Sequence, residues 1–173
     1  MKDILTFKTD EHTWLSNMTL VNIECDGIIY PSTENFYQAC KYNEIDTKKL
    51  ISRLNPYKAK KYSRENKMTN SNFDNDKLVY MDYALHKKFY QEPFKSKLLA
   101  TGDCHIEEGN WWKDKFWGVD IKTRQGENHL ESKVPIAERL PWGVAEPLIA
   151  EAEVCATGAI LTGTLEPPKY SGR

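Results

Sequence analysis

Pro31-Ser32-Thr33-Glu34-Asn35-Phe36-Tyr37-Gln38-Ala39-Cys40-Lys41 reads as a capped helix start that carries three reactive polar groups. Ser32 or Thr33 can cap the helix by accepting from a first-turn N–H. From that start Glu34, Gln38 and Lys41 fall at i, i+4 and i+7, on one face, while Phe36 and Cys40 turn away toward a core. A carboxylate in the first turn feels the positive end of the backbone dipole, so Glu34 is expected to be ionised at neutral pH, able to face developing positive charge. The plain alternative is a solvated helix face with Glu34 complementing the dipole.

A second segment weighs against that alternative. Residues 107–118, Glu-Glu-Gly-Asn-Trp-Trp-Lys-Asp-Lys-Phe-Trp-Gly, hold three tryptophans, a phenylalanine and three acids. Aromatic residues this dense around glycines fit neither helical nor strand periodicity, which predicts a loop, and a tryptophan-rich loop is suited to binding. Trp111 and Trp112 are adjacent and cannot face the same pocket in extended chain, so Trp111 is assigned to packing.

Between and around these segments the reading is mostly helical. Short strands are predicted at residues 3–7 and 20–30, the latter turning at Asp26-Gly27, a strong hairpin signal. A weak helix follows near residues 47–54, and Asn55-Pro56 caps and opens another toward Arg64. A polar, Asn-rich loop spans 65–75 and ends at Asp74 as expected cap. Leu78, Met81, Leu85 and Phe89 then repeat at helical spacing, predicting an amphipathic helix over 75–90. Pro93 opens a short helix stopped at Thr101-Gly102. The class is α+β: a mostly helical single domain with a small N-terminal antiparallel sheet.

At 173 residues, with 40% hydrophobic content, the chain suffices for one core, and its net charge of -1 offers no global field for nucleic acid or anionic membrane. No long apolar run or secretion signal is present, so a cytoplasmic protein is expected, with no membrane partner. Cys25, Cys40, Cys104 and Cys155 lack CxxC spacing and read as reduced thiols. His12, His86, His105 and His129 show no metal-ligand spacing, so neither metal nor cofactor is expected. After Leu130 the composition shifts: Asn, Asp, Gln, His and Phe vanish, and five of the eight prolines fall in residues 134–173. Residues 1–130 are therefore read as the domain, and 131–173 as a divergent segment without chemistry.

The motifs in order resemble the NADAR superfamily, also called YbiA-like. Ser16-Asn17, Asp26-Gly27, the run from Thr33 to Lys41, the run from Met81 to Phe89 with Lys88, Leu98 to Gly102, Glu108 to Gly118, and Gly126 to Leu130 stand in the family's sequence, covering about residues 5–130. Two departures are visible. Pro135 would break the closing helix that members usually have, and Phe73 stands where they often carry Trp.

The resemblance implies the YbiA-like fold and an N-glycosidase that cleaves the bond between a nitrogen base or amine and a phosphorylated ribose. Its implied substrates are phosphoribosyl intermediates of early riboflavin synthesis or ADP-ribosyl groups on guanine, so nucleic acid enters as an ADP-ribosylated substrate. Breaking a C1′–N bond builds positive charge on the ribose, for which Glu34 is the candidate carboxylate. Asp114 is the candidate for aligning water or serving the leaving nitrogen, its alternative being a loop cap. Phe73, Trp112 and Trp117 are candidate platforms for a flat heterocycle. Lys41, Lys61 and Arg64 are candidates for phosphate. Gln38 and Gly118, within the matched motifs, are candidates for substrate binding, and Asn17 and Asn128 either bind ribose hydroxyls or close turns. A covalent variant, in which Lys8 or Lys41 forms an imine with the opened sugar, stays open. So do two noncatalytic readings: an ADP-ribose or nucleotide-binding module, and a tryptophan-loop interaction domain. The oligomeric state is not legible.

Overall fold

The computed structural model describes residues 3–130. Its N-terminal hairpin pairs β1 (Leu20–Cys25) with β2 (Ile28–Ser32) in antiparallel register, Cys25 opposite Ile28 and Ile23 opposite Tyr30. Asp26 and Gly27 both take positive φ, 52° and 69°. That conformation matches the right-handed strand twist and is why an Asp-Gly pair sits there. Val21, Ile23 and Cys25 point inward and Leu20, Asn22 and Glu24 outward, as period-two burial requires.

Five helices pack against this hairpin and one another: α1 (Thr33–Ala39), α2 (Ile45–Ser52), α3 (Pro56–Glu65), α4 (Phe73–Phe89) and α5 (Phe94–Leu99). Ser32 caps α1, its Oγ accepting from Asn35 N at 3.0 Å. Asn55 caps α3 in the same way, accepting from Lys58 N at 2.9 Å, with Pro56 in the first turn where its missing N–H does no harm. Asn35, fully buried, ties α1 to α2 by donating to Ile51 O at 2.8 Å and Leu54 O at 2.9 Å. The core gathers between hairpin, α1 and α4, where the Phe36 ring lies 5.5 Å from Tyr30 and 5.2 Å from Tyr83.

The α+β architecture expected from the sequence is therefore present, with several local differences. The strand expected at 3–7 is a single parallel bridge from Ile4 to Ile106, because Ile4 N donates to His105 O and Glu107 N to Ile4 O, at 2.8 and 2.7 Å. A local pattern cannot reveal a partner a hundred residues away. α2 begins at Ile45 rather than near Thr47, and α4 begins at Phe73 with Asn72, not Asp74, at the cap position. Asp74 and Asp76 instead lie in the first turn, where they complement the dipole. The tryptophan-rich segment contains the ends of a two-residue parallel pair not foreseen, β3 (Gly109–Asn110) with β4 (Val119–Asp120). No helix among the described residues is long and apolar enough to cross a membrane. The expected divergent segment 131–173, with Pro135 and Cys155, lies outside the described residues.

Candidate active site

The Ser32 cap fixes where α1 starts, and with it the position of Glu34. This carboxyl is 4% exposed. Its Oε1 accepts from Gln38 Nε2 at 2.8 Å, one helical turn on, and lies 3.5 Å from Lys60 Nζ, brought in by α3. Its backbone N–H donates to Asn17 O at 3.0 Å, which anchors the start of α1 to the Ser16-Asn17 turn. Gln38 is buried too, so this side of α1 is an interior wall and not a solvated face.

Three buried polar atoms on the residues directly around Glu34 have no hydrogen-bond partner among the described residues: Asn17 Oδ1, Thr33 Oγ1 and Gln38 Oε1. Each such orphan costs about 1–3 kcal/mol unless solvent or a ligand satisfies it.

α1 ends at Ala39, so Lys41 lies just past the helix rather than within its face. Its ammonium still returns to the site, 5.8 Å from the Tyr37 ring and 5.4 Å from that of Phe73. Burial lowers the proton affinity of Lys41, with Glu34 and Asp74 opposing and Lys60 and Arg64 reinforcing the effect. Arg64 itself is exposed on α3, and Lys61 pairs outward with Glu65 at 3.6 Å. Phe73 is 4% exposed, packed edge-on to Tyr37 at 5.2 Å and stacked on Tyr80 at 6.0 Å, so its faces are already occupied by tyrosines.

The tryptophan loop meets this wall. Asn110, fully buried, closes the loop by accepting from Asp114 N at 2.9 Å and donating to Asp114 O at 2.8 Å. Asp114 Oδ1 in turn accepts from Phe116 N at 3.2 Å and Trp117 N at 2.9 Å, which bends the chain so that Trp117 points back toward α1. The Trp117 ring lies edge-on to Tyr37 at 5.5 Å. Burial, reinforced by Glu34, pushes the Tyr37 phenol well above its ordinary value. At the loop tip Trp111 and Trp112 are 57% and 51% exposed, so Trp111 does not pack inward as expected from the sequence. Lys8, exposed on the N-terminal segment that the Ile4 bridge holds beside the loop, lies 5.0 Å from the Trp112 ring.

Gly118 permits the closest approach in the loop: a Cβ there would sit 2.2 Å from Glu108 O. Asn128 closes the far side, its Oδ1 accepting from Glu108 N and its Nδ2 donating to Ile106 O, each at 3.2 Å. Of the predicted residues, then, Glu34, Gln38, Asn17, Lys41 and Trp117 gather at one wall. Asp114 bends the loop onto it, Lys8 and Trp112 lie at the rim, Arg64 stays outside, and Gly118 and Asn128 hold backbone.

Two charged residues of the site were missed as site residues from sequence. Nothing in the spacing of Lys60 marks it as the cation beside Glu34. Glu108 had appeared only as a motif letter, although an acid set inside an aromatic loop was a usable signal. Burial, and then Asp114, raise the Glu108 carboxyl to about 7, with Lys60 and Lys8 opposing and Glu34 adding. A shallow depression of about 450 Å³ elsewhere, lined by Asn22, Glu24, His86 and Tyr90 among others, contains none of the predicted site residues.

Comparison with known proteins places the chain in a family and a fold. The model of the NADAR domain matches residues 6–133. N-glycosidase YbiA of Escherichia coli (strain K12) is 30% identical over 125 residues, covering 70% of this chain and 77% of the relative. A riboflavin biosynthesis protein of Vibrio vulnificus (strain YJ016) is 31% identical over 131 residues, which cover 73% of this chain. The match spans only 35% of that relative's length. The solution NMR structure of E. coli YbiA superposes with a TM-score of 0.65 at 25% identity, covering 89% of this chain and 88% of that one.

Proposed function

From the premise that this chain belongs to the NADAR domain family, we propose that it is an N-glycosidase hydrolysing the C1′–N bond of a phosphoribosyl or ADP-ribosyl compound. The observation that carries the reading is the buried Glu34 carboxyl, held by Gln38 and Lys60, on a helix start where buried polar atoms of Asn17, Thr33 and Gln38 are left without a partner among the described residues. The orphans suit ribose hydroxyls, which both donate and accept. Glu34 acts on the ring: as the C1′–N bond lengthens, positive charge spreads over C1′ and the ring oxygen, and an adjacent carboxylate in a partly desolvated wall stabilises that charge. Gln38 and Lys60 hold the Glu34 oxygen in place, so little reorganisation accompanies the reaction. Asp114, with Oδ1 committed to the loop backbone, has Oδ2 left to orient water.

The remaining groups fit the ends of such a substrate. Trp117 and Tyr37 form an aromatic corner for the heterocycle. Lys41, Lys60 and Lys8 supply cations for phosphate. The two substrate types, a ribosylamine phosphate and an ADP-ribosylated guanine, share the ribose and C1′–N bond that Glu34 addresses and differ in the leaving nitrogen group and in what the 5′ phosphate carries.

The test is turnover. Incubation with a ribosylamine 5-phosphate, and separately with ADP-ribosylated guanine in an oligonucleotide, releases the base or amine. Glu34→Ala lowers the rate by about 100-fold or more. Binding without release by the unaltered chain would make it a receptor instead.

A further inference from the structure

We propose that the Glu108 carboxyl is the proton donor of this site, protonating the nitrogen that leaves C1′ while Glu34 faces the sugar. The proposal rests on the N-glycosidase reading and adds to it the acid that such a reaction requires.

The geometry sets the two glutamates apart. Glu34 has a hydrogen-bond donor and an ammonium on its oxygen. Glu108 is half-buried, yet its carboxyl makes no hydrogen bond or ion pair among the described residues. Its backbone, by contrast, is pinned: the N–H donates to Asn128 Oδ1 at 3.2 Å. Its carbonyl accepts from Val119 N at 3.0 Å and from Asn110 Nδ2 at 3.5 Å, with Gly118 packed against it. The main chain thus fixes where the side chain starts, while the carboxyl oxygens stay uncommitted among the described residues. A side chain kept for structure would use its oxygens.

The groups that face Glu108 are Asp114 from its own loop, Lys60 from α3, Lys8 from the N-terminal segment and Glu34 from α1. Two carboxylates repel the charged form and two cations, neither within ion-pair distance, favour it. Burial outweighs the cations, and the group holds its proton up to about pH 7. A carboxyl that keeps its proton, set across from a second carboxyl on the sugar side, is the arrangement that acid-assisted glycoside cleavage needs.

The step balances without a further reactant. The C1′–N bond breaks with its electron pair going to nitrogen, and the Glu108 proton bonds to that nitrogen. Water oxygen bonds to C1′, and the proton it loses goes to Asp114 and returns to Glu108 through solvent.

Two substrates with different leaving groups test this. A ribosylamine 5-phosphate expels a nitrogen that must be protonated; 4-nitrophenyl ribofuranoside 5-phosphate expels a phenolate that need not be. Glu108→Gln is expected to lose about 100- to 1,000-fold in kcat on the first and about threefold or less on the second, whereas Glu34→Gln loses on both. Activity on the second substrate also shows that Glu108→Gln is folded. In the unaltered protein, kcat on the ribosylamine falls as pH rises through about 7, and on the nitrophenyl compound it does not. Equal loss by Glu108→Gln on both substrates, or a ribosylamine profile without that alkaline limb, overturns the proposal alone. An unaltered chain inert toward both substrates removes the hydrolase reading, and the proposal with it.

Discussion

Lys88 offers a prediction whose size follows from its surroundings. It lies on α4 with no exposed surface, and its Nζ donates to Ser16 O at 2.8 Å. The rings of Phe89 and Phe94 stand 5.1 and 5.4 Å from the nitrogen. No carboxylate among the described residues is paired with it, and burial lowers it from 10.5 to about 7. At about 1.4 kcal/mol per pH unit, that displacement means the folded state carries a penalty of about 5 kcal/mol wherever both states are protonated. The sign follows from proton counting. Between about 7 and 10.5 the unfolded chain holds a proton that the folded chain has released, so stability rises with pH through that window; below about 7 the penalty is constant. From pH 7 to pH 9 the expected gain is about 2 kcal/mol. Lys88→Met keeps the length of the side chain and removes the titration, leaving only a pH-independent cost of about 1–3 kcal/mol for Ser16 O without its donor. Urea unfolding followed by tryptophan fluorescence, on both proteins across this range, isolates the lysine. Cys25, raised by burial to about 11, and Cys40, raised also, destabilise the fold above the ordinary thiol range, but equally in both chains. A stability difference between the two proteins that stays flat from pH 7 to 9 would refute the reasoning.

Three other substitutions probe the site and its supports. Gly118→Ala drives a methyl to 2.2 Å from the Glu108 carbonyl, a backbone atom that cannot step aside; a loss of about 2–3 kcal/mol is expected in thermal or urea unfolding. Gly27→Ala meets nothing within 4 Å but must hold a φ of 69°, so it costs about 1 kcal/mol in the same assay and leaves turnover unchanged. Lys60→Met removes a cation that holds the Glu108 carboxyl down, so the alkaline limb of the ribosylamine pH profile moves above about 7, whereas loss of a purely structural lysine would leave it in place.

What the sequence made legible was whatever is decided within a few residues. The Asp26-Gly27 turn, the Ser32 and Asn55 caps, Pro56 in a first turn and the run of Leu78, Met81, Leu85 and Phe89 each rest on local backbone preference or period, and the corresponding elements are present. The start of α4 lies two residues before the expected cap at Asp74: Asn72 takes the cap position without a side-chain cap bond, and Phe73 packs edge-on to Tyr37 at 5.2 Å. The pairing of Ile4 with Ile106 and of β3 with β4 needed contacts across long loops, which no local pattern encodes.

The site divides in the same way, and for the same cause. Glu34 and Gln38 were readable because helical spacing alone makes them neighbours. Lys60 was unreadable because it reaches Glu34 only through the packing of α3 on α1, and that packing depends partly on Asn35 tying α1 to α2 at Ile51 and Leu54. Glu108 is the more telling case. Its environment is assembled from four separate stretches, and none of them contacts it through a hydrogen bond to its carboxyl. The property that singles it out, a proton held near neutrality by burial, belongs to no stretch of sequence. A carboxyl in the chain's aromatic loop becomes an acid only after the fold has brought Asp114 and Glu34 toward it and kept Lys8 and Lys60 at a distance.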